Sequence, residues 1–229
     1  MSPPTLGFIL PCLDEAPSLP AILAALSKDW PGCTMVVIDD GSTDGSPAIA
    51  RSAGARVVDR GRRRGLASAI HEGIAACSAD RIVVMDADGS HRTRDAGALI
   101  TALDDADLAV GSRWVPGGSA PGLDAKRTAW SRASNALVRT VLDGSVADWT
   151  SGFWAIRGAA AKHLTARPPI ATGWLGSLEI KWRARRAGLS IVELPVVFEA
   201  RTHGASKLRL RDAAAAARDL LRIRFAADP

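Results

Sequence analysis

The sequence contains no tyrosine and only four phenylalanines. Aromatics other than its seven tryptophans are thus too few to build the regular stacking platform of a single-strand binder, and no nucleic-acid partner is expected. Cysteine is scarce too. Cys12, Cys33 and Cys77 cannot all pair and show no metal-ligand spacing. That argues against a disulfide scaffold or zinc site and for a reduced, cytoplasmic setting. No apolar run reaches the roughly 18 residues of a membrane-spanning helix. The start, Met1-Ser2-Pro3-Pro4, offers neither the charged stretch nor the apolar core of a signal peptide. The expectation is a soluble chain, or one peripheral at the inner face of a membrane. No Gly-x-Gly-x-x-Gly follows the first strand and no Gly-Lys-Ser/Thr loop occurs, which disfavours dinucleotide oxidoreductases and P-loop nucleotidases.

What is present is ample aliphatic content and a basic excess. The 229 residues are 47% hydrophobic and carry a net charge of +5, enough chain for one large α/β domain or two small ones. The positive charge is uneven. Arg60, Arg62, Arg63 and Arg64 form one cluster, residues 181–186 a second and residues 201–224 a third. By charge alone such clusters suit phosphates, anionic lipid headgroups or nucleic acid.

Short apolar runs alternate with helical patterns through residue 111. Strands are predicted over 5–11, 34–38, 55–59, from 81 and over 107–111, with helices over 19–28, 46–53, from 65 through 77 and over 94–103. Ser18 is placed to cap the first helix, and Ser46-Pro47 to open the second. This alternation predicts an α/β fold: a mainly parallel, doubly wound central sheet with helices on both faces. Beyond it, 112–123 reads as a mobile Gly/Pro loop, 124–142 as a helix and 148–152 as a turn before a strand at 153–157. A helix over 175–187, a strand within 190–198 and a polar, basic loop over 199–207 follow. Residues 208–225 form a basic helix, with Arg209, Arg211, Arg218, Arg222 and Arg224 beside an aliphatic face, suited either to packing on the sheet or to an anionic membrane surface.

The chain is organised around Arg81-Ile82-Val83-Val84-Met85-Asp86-Ala87-Asp88-Gly89. A buried strand runs into two carboxylates one residue apart, placed to point the same way at the carboxyl end, where open α/β sheets bind ligands. Two such acids tolerate each other with a cation between them, and hard oxygens suit Mg²⁺ or Mn²⁺. The same residues also read as a plain acidic turn. Asp39-Asp40-Gly41-Ser42 closes the second strand in the same manner.

Together with Pro11-Cys12-Leu13-Asp14-Glu15, Gly111-Ser112-Arg113, Lys126-Arg127 with Ser131, Thr150-Ser151-Gly152-Phe153 and Arg201 to Lys207, these residues form an ordered set. In it the chain resembles the polyprenol-phosphate sugar synthases of the dolichyl-phosphate mannose synthase type, inverting glycosyltransferases with a GT-A fold. The resemblance implies a metal-dependent transfer of a hexose, mannose first, from a nucleotide sugar, GDP-mannose first, to a polyprenyl monophosphate. It implies that Pro11, Leu13, Glu15, Asp39 and Ala87 border the nucleotide, and that Asp86 and Asp88 hold a divalent ion on its diphosphate. Arg201 and Lys207 would neutralise the leaving group; Arg113, Arg127 and Ser131 would bind the acceptor phosphate. A membrane surface or a membrane-protein partner follows from the lipid acceptor. One domain over 1–229 is expected: a nucleotide-sugar half (1–111), an acceptor half (112–207) and the basic helix (208–229).

Two positions depart from that family. Ser90 stands where glutamine is common, and a shorter side chain reaches an ion only through water. Trp154 replaces a basic residue. His91 and His203 read as loop-shaping. Glu179 is spaced to pair with Arg183 one helical turn on, yet falls near where relatives that modify hydroxyls place a catalytic base. Two alternatives therefore stand: a same-fold transferase using a hydroxyl acceptor, and a non-catalytic nucleotide- or nucleic-acid-binding module.

Overall fold

The computed structural model describes residues 3–200 and 210–226, and their side chains except those of 210–213. Strands β1 (Leu6–Cys12), β2 (Thr34–Asp39), β3 (Arg56–Asp59), β4 (Arg81–Val84), β5 (Leu108–Ser112), β6 (Trp154–Arg157) and β7 (Ile191–Pro195) form one sheet in the order β3-β2-β1-β4-β6-β5-β7. Only β6 runs against its neighbours. The rest are parallel, as the alternating pattern predicts.

Helices cover both faces because the strands are apolar on both sides. Phe8 and Leu10 of β1 face α1 (Leu19–Asp29), α2 (Ser46–Ser52) and α4 (Ala96–Ala102), meeting Leu23, Leu26, Ala50 and Leu99. Ile9, one residue out of phase, joins Ile38 and Val84 against α3 (Leu66–Ala76), α6 (Gly158–Leu164) and α7 (Gly176–Arg186). A third cluster joins α5 (Ala125–Val141), α7 and α8 (Leu210–Phe225) through Val138, Leu142, Trp149, Trp182, Leu220 and Ile223. Each fully buried Leu or Ile contributes about 1.5–3 kcal/mol. The short helix α6 is absent from the sequence-based expectation, since Gly158 and three alanines carry little periodicity.

Two expectations change in a way that matters for the site. Strand β4 stops at Val84, so Asp86 and Asp88 occupy a turn beyond the strand. The Ser90 amide and hydroxyl both donate to Asp88 Oδ1, at 3.0 and 2.6 Å, and this local side-chain turn competes with continuation of the ladder. Ser18 does not cap α1 with its side chain. Its hydroxyl donates instead to the Ala87 carbonyl at 2.8 Å, tying the first loop to the acid turn. The segment expected as a mobile loop is tied down as well: Ser119 and Gly122 amides donate to the Val196 and Phe198 carbonyls.

Candidate active site

The carboxyl ends of the parallel strands share one rim of the sheet. Because β6 is reversed, its entry turn, residues 148–153, arrives at that same rim.

On one side stand the residues assigned to a nucleotide. Register places Pro11 against Ile38 and Cys12 against Asp39. The following loop is locked to the next one: Asp14, at φ 50, receives the Thr43 amide at 2.8 Å, and the Glu15 amide donates to Ser46 Oγ at 3.0 Å. Pro11, Leu13 and Glu15, all half-buried, are thereby grouped beside Asp39. Asp39 Oδ2 accepts the Gly41 and Ser42 amides at 3.2 and 3.1 Å, while Oδ1 is buried without a protein partner. An unmet buried acceptor is costly unless a ligand donates to it, and an N–H of a base or a ribose hydroxyl fits.

Asp40 draws the basic loop onto this edge. It accepts Arg60 Nη1 at 2.6 Å and the Arg64 and Gly65 amides at 2.7 and 2.9 Å. Gly41 sits at φ +85, and a β-carbon there would lie 2.8 Å from the Arg62 backbone; only glycine permits that approach. Arg62 and Arg63 remain exposed at the rim.

The acid turn lies next. Asp88 is buried, whereas the Asp86 side chain is 37% exposed. Ala87 between them is buried. His91 Nε2 lies 3.4 Å from Asp86 Oδ2, with its ring stacked on Phe153 and edge-on to Phe198. A β-carbon on Gly152 would sit 2.9 and 3.0 Å from the two Asp86 carboxylate oxygens. Gly152→Ala therefore pushes Asp86 aside. The expected result is an affinity for Mn²⁺-nucleotide lowered about tenfold, or ~1.4 kcal/mol, at unchanged melting temperature. Calorimetric titration reads it, and equal affinities would refute the contact's importance.

Across Gly152 stand the residues assigned to the acceptor. Arg113 grips Asp148 through two parallel bonds, Nε to Oδ2 and Nη2 to Oδ1, each 2.7 Å, and also reaches Thr150 Oγ1 at 2.9 Å. Asp148 is fully buried. Burial pushes its pKa up, but the Arg113 hydrogen bonds and charge outweigh that and hold the carboxyl below its usual range. Arg113 and Arg132 lie over the Trp114 ring, 5.3 and 5.0 Å from its centre. Arg127 is exposed near the start of α5. Ser131 lies one turn on and Asn135 two, along one face; Asn135 Nδ2 donates to Thr150 Oγ1 at 3.0 Å. The face bearing Arg127 and Ser131 thus leads to Arg113. Arg201, His203 and Lys207 lie outside the described residues.

Asp148, Asn135, Trp114 and Lys181 complete this side and are missed by sequence reasoning. The one local signal was Asp148's place two residues before Thr150, in the turn. Glu179 is settled differently. Its carboxylate accepts the Ile170 amide at 2.8 Å and the Ala171 amide at 2.8 Å, and pairs with Arg183 at 2.7 Å. It is 1% exposed. Glu179→Gln is therefore expected to cost about 3 kcal/mol of stability by stranding Arg183, with turnover of the folded fraction unchanged. Urea unfolding and a rate measured at low temperature separate the two. Trp154 likewise belongs to the core, its indole N–H donating to Ser177 Oγ at 3.1 Å.

Comparisons with known proteins bear on the family and the fold. Residues 8–165 match the model of glycosyl transferase family 2. The chain is 32% identical over 210 residues to polyprenol monophosphomannose synthase of Mycolicibacterium smegmatis, covering 87% of this chain and 79% of that protein. It is 32% identical over 208 residues to undecaprenyl-phosphate mannosyltransferase of Micrococcus luteus, covering 87% and 86%. Its fold superposes with a TM-score of 0.73 on glucosyl-3-phosphoglycerate synthase from Mycobacterium tuberculosis, solved with Mn²⁺, UDP-glucose and phosphoglyceric acid. That match covers 98% of this chain and 81% of the other at 24% identity. With a family match spanning most of its length, the mixed sheet and the acid turn at its rim, the chain belongs to glycosyl transferase family 2 and is a glycosyltransferase of GT-A fold.

Proposed function

We propose that the protein moves a hexose, mannose first, from a nucleotide sugar, GDP-mannose first, to a polyprenyl monophosphate with inversion at the anomeric carbon. The observation that carries the choice of acceptor is the state of Glu179. A hydroxyl acceptor needs a carboxylate base in reach, and this one is sunk in the core against Arg183 and two amides. A lipid monophosphate needs no such base. Its second pKa is roughly 6, so it is largely ionised near neutrality. Both relatives at 32% identity carry names that place a mannosyl group on a polyprenyl phosphate.

The residues would act as follows. Asp39 receives the base or ribose, with Pro11, Leu13, Glu15 and Ala87 walling it. Asp86 and Asp88 would hold a divalent ion, Mg²⁺ or Mn²⁺. Among the described residues no group of three or more His, Cys, Asp or Glu gathers for a metal, so diphosphate oxygens would complete the ligand set, as is usual for Mg²⁺. The donor set fits: two carboxylates, one half-open to the rim. Bound there, the ion supplies neutralisation of the diphosphate as its charge grows. Arg201 and Lys207 would add to it. Arg113 orients the acceptor through the charge of its guanidinium and its Nη1 N–H groups, the ones not engaged by Asp148 or Thr150, with Arg127 and Ser131 further out. An acceptor oxygen forms its bond to the anomeric carbon as the bond to the diphosphate breaks on the opposite face. Residues 1–111 would form the donor half and 112–207 the acceptor half of a single domain.

A lipid acceptor requires contact with a bilayer, at its cytoplasmic face in this reading. Among the described residues no helix is long and apolar enough to cross a membrane. Among the described residues the exposed large hydrophobics are Trp130 and Leu137 on α5 and Leu221 and Phe225 on α8, two helices packed on each other. Lys126, Arg127 and Arg132 of α5 and Arg218, Arg222 and Arg224 of α8 are exposed on the same two helices, the composition of an interfacial surface. The inner side of α8 packs through Leu220 and Ile223, so one helix serves both roles. Two experiments test the reading. Transfer from GDP- and UDP-sugars with Mg²⁺ or Mn²⁺ is assayed on a short-chain prenyl phosphate and on sugar hydroxyls; product on hydroxyls alone rejects it. In flotation, wild-type protein is expected to rise with anionic vesicles at low salt, and Trp130→Ser with Phe225→Ser to reduce that about tenfold. Equal flotation of the two proteins rejects the surface.

A further inference from the structure

Fully buried ammonium groups are rare, because desolvation costs more than ordinary pairing returns. Lys181 on α7 is one: none of it reaches solvent, and burial, opposed by Asp148, pulls its pKa down to about 7. Its Nζ donates to three carbonyls of a single turn, Ser151 at 2.7 Å, Trp149 at 2.9 Å and Asp148 at 3.4 Å. Two other elements collect that turn's amides. Glu193 of β7 accepts from Ala147 at 2.6 Å and Asp148 at 3.0 Å, and Asn135 of α5 accepts from Thr150 at 3.2 Å. The end of the turn next to β6 is anchored without Lys181, since the Ser151 hydroxyl donates to the Gly111 carbonyl at 2.6 Å. The other end carries Asp148, which grips Arg113.

We infer that Lys181 is a positioning residue of the acceptor subsite: by gathering the carbonyls of residues 148, 149 and 151 it sets the Asp148 carboxylate, and through it the direction in which Arg113 meets the acceptor phosphate. This rests on the assignment of Arg113 to that phosphate. Space filling does not account for a lysine here. A methionine of similar length would fill the same volume without the desolvation cost, but would leave the Trp149 and Ser151 carbonyls unmet, and the Asp148 carbonyl with only the Ser151 amide, in a layer made by Trp149, Leu178 and Trp182. Gly152 and Asp86 lie beyond Ser151, whose hydroxyl keeps its own bond to Gly111; Asp86 feels the Lys181 charge but is not hydrogen-bonded through it, so the donor side is expected to change less than the acceptor side.

The test uses the full chain carrying Lys181→Met. Inorganic phosphate affinity is read by phosphorus NMR, the KM for a short-chain prenyl phosphate in the transfer assay, and nucleotide affinity with Mn²⁺ by calorimetry. The phosphate Kd and acceptor KM are expected to rise at least about tenfold, with the nucleotide Kd within about twofold of wild type. Lys181→Gln, whose amide donates to two carbonyls, is expected to fall between the two; it is read on its own should Lys181→Met not fold. Unchanged phosphate and acceptor constants in a folded variant overturn the inference. So do equal losses on the nucleotide and phosphate sides, or a wild type with no affinity for phosphate. A wild type that binds phosphate in a Lys181-dependent way but glycosylates no prenyl phosphate supports the inference and removes the polyprenyl reading instead.

Discussion

Replacing Asp88 by asparagine is expected to lower turnover about 10³-fold, near 4 kcal/mol at the transition state, while nucleotide binding in the absence of metal stays as it was. The substitution keeps the shape of a buried side chain that takes the Ser90 amide and hydroxyl on one oxygen. It removes the charge that a diphosphate-bound cation would meet. The two halves of the prediction separate chemistry from folding: a collapsed acid turn would also release Ser18 from the Ala87 carbonyl and loosen the nucleotide wall. Rapid-quench turnover and metal-free nucleotide titration measure them. Retention of more than a tenth of the wild-type rate in saturating metal would remove Asp88 from the reaction.

The second large effect is expected at Arg113. Arg113→Lys keeps a positive charge but cannot make the two parallel bonds to Asp148 and still present further N–H groups to a phosphate, so acceptor kcat/KM is expected to fall about 10²-fold with donor affinity intact. Arg113→Ala goes further, because Asp148 is then a buried carboxylate that has lost its guanidinium and keeps the residue 113 amide, Thr150, Asn135 and the charge of Lys181; the stability cost is about 3 kcal/mol. The pH dependence follows from the sign of the shift. Asp148 is held below its ordinary value of 3.8, so its contribution is present above about pH 3.8 and is lost as pH falls through the lower folded-state value. Urea denaturation of wild type and Arg113→Ala across pH 3 to 7 reads the difference. The gap between the two proteins narrows toward acid if the pair is what stabilises, and stays constant if it is not.

Much of the donor side was legible in the sequence because its residues end strands. An apolar run that breaks into acid and glycine marks both the element and the end where such sheets bind ligands, so Asp39, Asp86 and Asp88 could be proposed for that rim without knowing how the strands are ordered. Where the strand ended was not legible: the Ser90 side chain closes a turn on Asp88, an interaction that leaves no trace in periodicity. The acceptor side was harder. Arg113 and Asp148 are 35 residues apart and meet only because β6 inserts between β4 and β5. Lys181 sits in a run of basic residues that by charge alone suits phosphates, anionic headgroups or nucleic acid, yet the helix is buried on almost every side. Glu179 shows the converse. Its spacing to Arg183 was readable, while its two backbone amides come from a loop with no pattern of its own.

The reversal of β6 has an evolutionary reach. Residues 113–153 leave the sheet and return at the border they left, so an excursion of any length can be spliced in there without re-threading a neighbouring strand. In the proposed reading, the residues that meet the acceptor can thus be rewritten in one contiguous insert, while those that meet the activated sugar, drawn from the tips of β1, β2 and β4, are inherited whole.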